Sequence, residues 1–577
     1  MELNYNIEKF TSKSGLPTLN INGYYIHSKY DPIREAVSFV DKNFKPGYVH
    51  ILFGYGLGYI ADELISRFTN DDEKLIVIEP IINNINNPNK KIKIFIESNM
   101  DKLKDYLLSS FGIINNITLL CSPNYDKVCP EIYKQFLSVL KNKLSVDRVS
   151  ENTMIKFSEL WQRNYLFNLK HVVNDLSIKK LEKITSSPVV IASGGPSLTK
   201  QLPLIKKFRE NFVLIASGST INTLLSDDII PDFVVSIDGT TRNYEHYKDL
   251  VESEITLLYG MYNHYKIKDI FTKNAYYFLT QRNIVLSNHL QSITNEVPVI
   301  LKGGGSVAHF AFSIAYYITS GPIALVGQDL AYTNNRSHAA NNKGFFEFDE
   351  EEISKKGLIK VEGYNNEEVL TDYPFLSMKT TFEALIKMYN SNDNIYNCTE
   401  GGIKLLGFNQ IPFEKFCESF TTEKINKDFI NKTNNNNTKK IENLQGLKNQ
   451  MEEEVNIFDE LIDVLDDSLQ LILKNRRKDS FEQKILKKLD KNDKEINKLQ
   501  LKTSLGVILD PINLNVIKRF PPKKNETVEE TYKRVYEQNK ALYSEYLVAV
   551  NNMKKYVVEL LEDINNEIEG VKSGNNY

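Results

Sequence analysis

His338, Asp329 and Tyr332 stand close together just after a short apolar stretch, residues 322–326, and together they offer the means for acid–base chemistry. Histidine titrates near neutral pH, so His338, in a polar loop, is the candidate general base. Asp329 is placed to orient it or to contact a substrate. The second kind of chemistry lies in residues 188–198, Pro-Val-Val-Ile-Ala-Ser-Gly-Gly-Pro-Ser-Leu. A β-branched strand runs there into Ser193, Gly194, Gly195, Pro196 and Ser197, and a helix follows. Gly194 and Gly195 lack a Cβ and leave the main chain open to close approach. Pro196 is pre-set for a first helical turn, and Ser197 and Thr199 add hydroxyls where helix amides are unpaired. Such a turn is an anion site in outline, although a tight turn without a ligand explains any one example equally well.

The elements that must position these groups recur. Residues 212–216 lead to Ser217-Gly218-Ser219-Thr220, residues 233–237 to Asp238-Gly239-Thr240, and residues 297–301 to Lys302-Gly303-Gly304-Gly305-Ser306. Residues 322–326 then end in Gly327-Gln328-Asp329. The spacing predicts βα units in an open parallel sheet, whose ligands bind outside the carboxyl ends of the strands. The five turns would therefore converge on one crevice, a nucleotide-type site. Ser217, Gln328 and the amides of Gly303, Gly304 and Ser306 join that pocket. Asp238 would bind a ribose hydroxyl or cap its own turn. His309, among Ala308, Phe310 and Ala311, reads as packed, and His264 is a weaker alternative base.

As an ordered set, Ser193 to Leu198, Asp238-Gly239, Lys302-Gly303-Gly304, residues 326–332, Ser337-His338-Ala339 and Asn397-Cys398-Thr399-Glu400-Gly401-Gly402 resemble the central domain of motility accessory factor proteins, bacterial flagellin glycosyltransferases. The resemblance covers about residues 188–415. It implies transfer of a nonulosonic acid, pseudaminic or legionaminic, from its CMP-activated form to Ser/Thr hydroxyls of flagellin, needed for flagellum assembly and motility. It also brings Thr399 into the nucleotide pocket and gives Tyr332 the task of protonating the leaving phosphate, as tyrosines do in the similar bacterial sialyltransferases. The same core is similar to archaeal-type 6-hydroxymethylpterin diphosphokinases, so the fold alone does not choose the reaction. No Asp-x-Asp follows a strand of the central segment, and CMP leaves with less charge than a nucleoside diphosphate, so no metal or other cofactor is expected. A diphosphokinase would need magnesium and ATP, and no Gly-x-x-x-x-Gly-Lys-[Ser/Thr] loop is present. A non-catalytic flagellin-binding accessory protein is the other alternative, disfavoured by the number of polar strand ends kept together with His338.

Composition sets limits. The 577 residues, 41% hydrophobic, suffice for several domains. A net charge of −3 argues against general nucleic-acid binding. The four cysteines form no Cys-x-x-Cys pair, which fits a reduced cytoplasmic protein without structural zinc. With no basic-then-apolar leader and no apolar run approaching about eighteen residues, neither export nor a membrane span is expected. A homo-oligomeric state is left open.

The expected fold class is α/β: a central doubly wound, Rossmann-like glycosyltransferase domain (188–420), an N-terminal α/β domain (1–150), a helical connector (151–187) and a C-terminal α-helical bundle (435–577). In the N-terminal domain, residues 50–53 precede Gly54-Tyr55-Gly56-Leu57-Gly58, and Glu79 ends the next strand, where dinucleotide-binding folds hold a ribose carboxylate. The turn is Gly-x-Gly-x-Gly and not Gly-x-Gly-x-x-Gly, so a scaffold turn is the first reading and a ligand turn the second. Trp161, in the connector, reads as core. After the asparagine-rich boundary at 434–437, Met451, Val455, Phe458, Ile462, Leu465, Leu469 and Ile472 step by four and three. Tyr546, Val550, Met553, Val557, Leu560 and Ile564 repeat the pattern, so the stripes are expected to pack as a hairpin or small bundle. Between them Pro521-Pro522 breaks the chain and Thr527 with Glu530 forms a capping box. The outer faces, including Arg476, Arg477 and Lys478, would be left for a protein partner. In the resembling family this helical region is the acceptor-binding surface.

Overall fold

A computed structural model describes residues 5–573, apart from 70–72, 84, 86–91, 97–101, 104–105, 107–116, 251–254, 272–274, 356, 390–393, 432–436, 476–479 and 524–525. Arg476, Arg477 and Lys478 thus lie outside the described residues. The chain divides into two compact units, Met1–Lys156 and Phe157–Tyr577, the division falling inside the helix Pro130–Val172.

In the first unit, Ile7–Thr11, Pro17–Ile21 and Tyr24–Tyr25 form an antiparallel sheet. A parallel sheet orders its strands Ile92–Ile96, Leu75–Glu79, Val49–Phe53 and Ile117–Cys121. Val49–Phe53 and Leu75–Glu79 are buried throughout, which is why they read as unbroken apolar runs and not as alternating ones.

In the second unit a parallel sheet has the spatial order Ile300–Leu301, Ala275–Thr280, Thr256–Gly260, Phe233–Ser236, Val213–Ser217, Val189–Ala192, Ile323–Val326, Ile395–Asn397 and Asn409–Gln410. Leu176–Ser177 adds a short pairing to Ala275–Thr280. The order shows the doubly wound fold that the spacing predicts. The chain builds outward from Val189–Ala192 in one direction, then crosses back to place Ile323–Val326 on the other side of that first strand.

Strand periodicity divides the side chains between two cores. Val190, Ala192, Leu214, Ala216, Val234 and Leu257 face one layer, and Val189, Ile191, Val213, Ile215, Phe233 and Val235 face the other, which is covered by the helix Val307–Ile318. The first layer also contains Leu444, Met451, Phe458, Leu465, Val550, Met553, Val557 and Leu560. The helices Asn437–Lys474 and Val528–Lys572 pack along each other on the predicted stripes, and their core is continuous with one face of the sheet. The capping box is present, with Thr527 N donating to Glu530 Oε2 at 2.9 Å and Glu530 N to Thr527 Oγ1 at 3.2 Å.

Candidate active site at the switch point of the sheet

The two strands from which the sheet winds in opposite directions, Val189–Ala192 and Ile323–Val326, lie side by side in parallel register. Their loops must part at the carboxyl end, the place where an open α/β sheet leaves a crevice. Ser193 N donates to Val326 O at 2.9 Å and Gly195 N to Gly327 O at 2.8 Å, so the loops stay zipped for a few residues before separating. A Cβ on Gly195 would lie 2.2 Å from Asp329 Oδ2 and 2.5 Å from Gly327 O. Close chain-to-chain approach is therefore enough to require glycine there.

Asp329 is buried and acts as the knot of this junction. Its Oδ1 accepts from Ser197 Oγ at 2.6 Å and from Thr333 Oγ1 at 2.8 Å, and Ser197 N donates to both carboxylate oxygens at 3.2 Å. Burial raises its pKa, and these hydrogen bonds oppose the rise. A carboxylate of the chain thus holds the Ser197 amide at the start of the helix Leu198–Lys207, the place the sequence offers to a phosphate. Gln201 completes the knot: its Oε1 accepts from Gly327 N at 3.0 Å and its Nε2 donates to Thr399 O at 3.1 Å. Thr399 Oγ1 accepts from Gln328 N at 3.1 Å, which joins the third loop to the other two.

His338 reaches the same crevice from the far side of Asp329. Ala339 N donates to Gly194 O at 2.9 Å, and Ala340 N to Thr199 Oγ1 at 3.2 Å. From a β-carbon built on Gly194, Asn342 Nδ2 lies at 3.1 Å, Thr220 Oγ1 at 3.3 Å and His338 Cδ2 at 3.5 Å. The loops after three strands therefore meet around Gly194. Burial lowers the His338 pKa, the Gly344 main chain opposes that, and the positive charge of Arg242 adds to the lowering. A neutral imidazole at pH 7 is the form a base requires. His246 is lowered as well, by burial and then by Lys343, Arg242 and His338. Sequence reasoning missed Arg242, His246 and Asn342. A basic and a histidine residue within the helix-opening stretch after Asp238-Gly239-Thr240 was the available signal for the first two. Ser193 Oγ, Gln328 Oε1 and Asn342 Nδ2, which flank this crevice, are buried without a hydrogen-bond partner.

Other sequence candidates have jobs within the protein. The Tyr332 hydroxyl donates to Asp372 Oδ2 at 2.7 Å, and burial together with that carboxylate pushes its pKa up. Asp238 is exposed, and its Oδ1 caps its own turn by accepting from Thr240 N at 2.8 Å. Ser217 is buried, and its carbonyl takes the Thr220 hydroxyl at 2.9 Å. A Cβ on Gly303 would strike the Phe310 ring, and one on Gly304 would lie 2.8 Å from His309 Nδ1. Ser306 caps the helix Val307–Ile318. The start of that helix touches the Ser217 turn, since a Cβ on Gly218 would lie 3.0 Å from Val307 Cγ1. His309 is packed, as expected, with a pKa lowered to about 4 by burial and Nε2 3.0 Å from Met378 O. The Pro196 carbonyl accepts from Thr199 N, and Glu400 Oε2 accepts from Phe413 N at 3.0 Å to cap the helix Phe413–Phe420.

The N-terminal glycine turn is filled by the chain itself. Glu79 Oε2 accepts from Tyr55 N at 2.7 Å, Gly56 N at 3.1 Å and the Tyr125 hydroxyl at 2.6 Å, and Oε1 from Ile81 N at 2.9 Å and Ile82 N at 3.0 Å. Leu57 N donates to His27 Nε2 at 2.9 Å. A carboxylate with five donors has little capacity left for a ribose, and the turn is built as scaffold. Among the described residues no three His, Cys, Asp or Glu side chains are grouped to hold a metal ion.

Residues 163–335 match the family model described as MptE-like, 6-hydroxymethylpterin diphosphokinase MptE-like. The chain is similar to two uncharacterized proteins of Treponema pallidum (strain Nichols). One is 28% identical over 127 residues, 22% of this chain and 56% of that protein, and the other 23% identical over 214 residues, 33% and 71%. The chain thus spans little more than half the length of the first of these relatives. Among solved structures it is similar to the MAf glycosyltransferase from Magnetospirillum magneticum AMB-1, with a TM-score of 0.51 and 14% identity over 100% of this chain and 94% of that one. The chain therefore carries an MptE-like domain within the fold of a Maf glycosyltransferase, the motility accessory factor family that its motifs resemble.

Proposed function

We propose that this protein is a glycosyltransferase acting in the cytoplasm, and that it moves a nonulosonic acid of the pseudaminic or legionaminic type from its CMP-activated donor to Ser/Thr hydroxyls of flagellin. The observation that carries this reading is the group of unpartnered buried polar atoms, Ser193 Oγ, Gln328 Oε1 and Asn342 Nδ2, beside a histidine kept neutral at the switch point. A buried polar group without a partner costs about 1–3 kcal/mol, and a polar ligand in the crevice would recover that cost. In this reading His338 takes the proton of the acceptor hydroxyl as its oxygen attacks the anomeric carbon. The bond to phosphate breaks, and CMP departs with the electron pair. Arg242 holds positive charge near the departing phosphate, and Asp329 and Tyr332 act by bracing the loops. The step uses no metal. Among the described residues no helix is long and apolar enough to cross a membrane, which suits an acceptor met before export.

Unmodified flagellin, incubated with the purified protein and a panel of CMP-nonulosonic acids and read by intact mass, should gain the mass of one or more sugars. His338→Ala should lower transfer by about 10²- to 10⁴-fold with CMP affinity nearly unchanged, the usual contribution of general acid–base catalysis. Full activity in a folded His338→Ala protein removes it from the mechanism. The family-model match keeps a pterin-type diphosphokinase as the second reading. Calorimetric titration separates the two, since tighter binding of ATP with magnesium than of CMP supports the kinase.

A further inference from the structure

Asp329 closes the start of the helix Leu198–Lys207 to anions, because its carboxylate already holds the Ser197 amide and hydroxyl. A phosphate entering the crevice must be met elsewhere, and the remaining donors gather on the Gly194 side. Asn342 is 5% exposed, its Oδ1 accepts from Gly344 N at 2.8 Å, and its Nδ2 is buried without a hydrogen-bond partner. That Nδ2 lies 3.1 Å from a β-carbon built on Gly194. The His338 ring sits between two glycines, with Cδ2 3.5 Å from the same point and Cε1 3.2 Å from a β-carbon built on Gly344.

The stretch after the strand Phe233–Ser236 supplies the charge. Asn243 Nδ2 donates to Asp238 O at 2.7 Å and to Ser236 Oγ at 2.9 Å, which fixes the helix Thr241–Glu245 to its strand end. Lys343 Nζ donates to Glu245 O at 2.7 Å and pairs with Asp249 at 3.1 Å, which ties the His338 loop to the same stretch. His246 follows that helix, within electrostatic reach of Arg242 and Asp238 on its own side and of Lys343 and His338 on the loop. Two neighbouring carboxylates are matched, Asp249 by Lys343 and Glu245 by Lys248. Arg242 is exposed and forms no ion pair among the described residues, and His246 Nδ1 is buried without a hydrogen-bond partner. The balance at His246 is therefore basic, with Asp238 alone opposing it.

We propose that Arg242, His246 and Asn342 form the phosphate subsite of the crevice, holding the phosphate of a bound nucleotide on the Gly194 side of the loops and away from the helix start that Asp329 fills, with His246 taking up a proton as the phosphate arrives. The assignment rests on the reading of the crevice as a nucleotide site. A phosphate carries a charge of about −1.5 to −2 at pH 7 and three acceptor oxygens, enough to engage a guanidinium, an imidazolium and an amide together. A carboxylate offers two oxygens and a single charge. The incoming anion reverses the field at His246: the positive charges that keep its ring neutral in the free protein become partners of the phosphate, and a proton from solvent settles on the imidazole with no bond of the nucleotide broken.

Full-length Arg242→Gln and His246→Gln are compared with the unsubstituted protein by calorimetry at pH 7 with CMP, with cytidine, which lacks the phosphate, and with ATP and magnesium, each in two buffers of different ionisation enthalpy. CMP affinity should fall about tenfold or more in each variant, the scale of a lost charged hydrogen bond, while cytidine affinity stays unchanged. Proton uptake on binding CMP should be present in the unsubstituted protein and smaller in His246→Gln. Arg242 is exposed, so its variant reports even where His246→Gln fails to fold. Unchanged CMP affinity in Arg242→Gln overturns the proposal, as does an equal loss for cytidine, equal proton uptake in His246→Gln, or an unsubstituted protein that binds neither nucleotide. Binding of ATP that depends on Arg242 and His246, in a protein without CMP affinity, supports the subsite and refutes the transferase reading.

Discussion

Removing the Asp329 carboxylate tests whether the site is held by an internal brace. Asp329→Ala would deprive Ser197 N, Ser197 Oγ and Thr333 Oγ1 of their acceptor in a side-chain environment that is 1% exposed. At about 1–3 kcal/mol for each buried group left unpaired the sum is roughly 3–9 kcal/mol, and hydroxyl rotation recovers part, so about 3–5 kcal/mol is expected. Melting temperatures shift by about 2–4 °C per kcal/mol in chains of 150–250 residues, and the unfolding entropy grows with length. For the second unit the loss should therefore appear as a drop of roughly 3–10 °C. Asp329→Asn keeps the Oδ1 acceptor and removes a charge that burial disfavours. Because burial raises the folded pKa of Asp329 above its ordinary value of 3.8, its ionisation costs stability as pH rises through that folded pKa. The Asn variant lacks this loss and should melt within about a degree of the unsubstituted protein at neutral pH. Scanning fluorimetry at neutral and mildly acidic pH, alongside transfer assays, measures both variants. Asp329→Ala melting with the unsubstituted protein refutes the brace. Transfer lost in an Asp329→Asn protein of normal stability would return the charge to the chemistry.

Arg242→Gln removes a positive charge that lowers the His338 pKa, so the acidic limb of the pH–transfer profile should move to higher pH; an unmoved limb excludes the coupling. Glu79→Ala leaves four of its five donors without an acceptor, Gly56 N keeping the Tyr125 hydroxyl at 3.0 Å, and should open the first unit to limited proteolysis while CMP affinity is retained, and an unaltered cleavage pattern counts against the scaffold role. Deleting residues 435–577 should give insoluble protein, because Met451, Phe458, Val550 and Val557 cover one face of the sheet. Soluble truncated protein that still binds CMP would show that the sheet folds without them.

Local pattern was enough for the elements. β-Branched runs ending in glycine turns announce parallel strands, because both faces of such a sheet are buried, and steps of three and four announce the helical stripes, because each must cover an apolar face. The capping box at Thr527 and Glu530 was legible for the same reason, because its partners are near in sequence, and the packed His309 was legible from its place among apolar residues of a helix, although its contact with Met378 is distant. Direction and partnership were not. Nothing near Ser197 in the chain indicates that its amide is taken by Asp329, that Glu79 fills the Gly54–Gly58 turn, or that Tyr332 is spent on Asp372. The crossover that lays Ile323–Val326 beside Val189–Ala192 decides the first of these, and the parallel sheet that sets Phe233–Ser236 two strands from Val189–Ala192 brings Arg242 and His246 near His338, whereas Asn342 is its neighbour in the same loop. Sequence determines which groups are capable of chemistry, whereas burial and long-range contact decide which of them remain free to perform it.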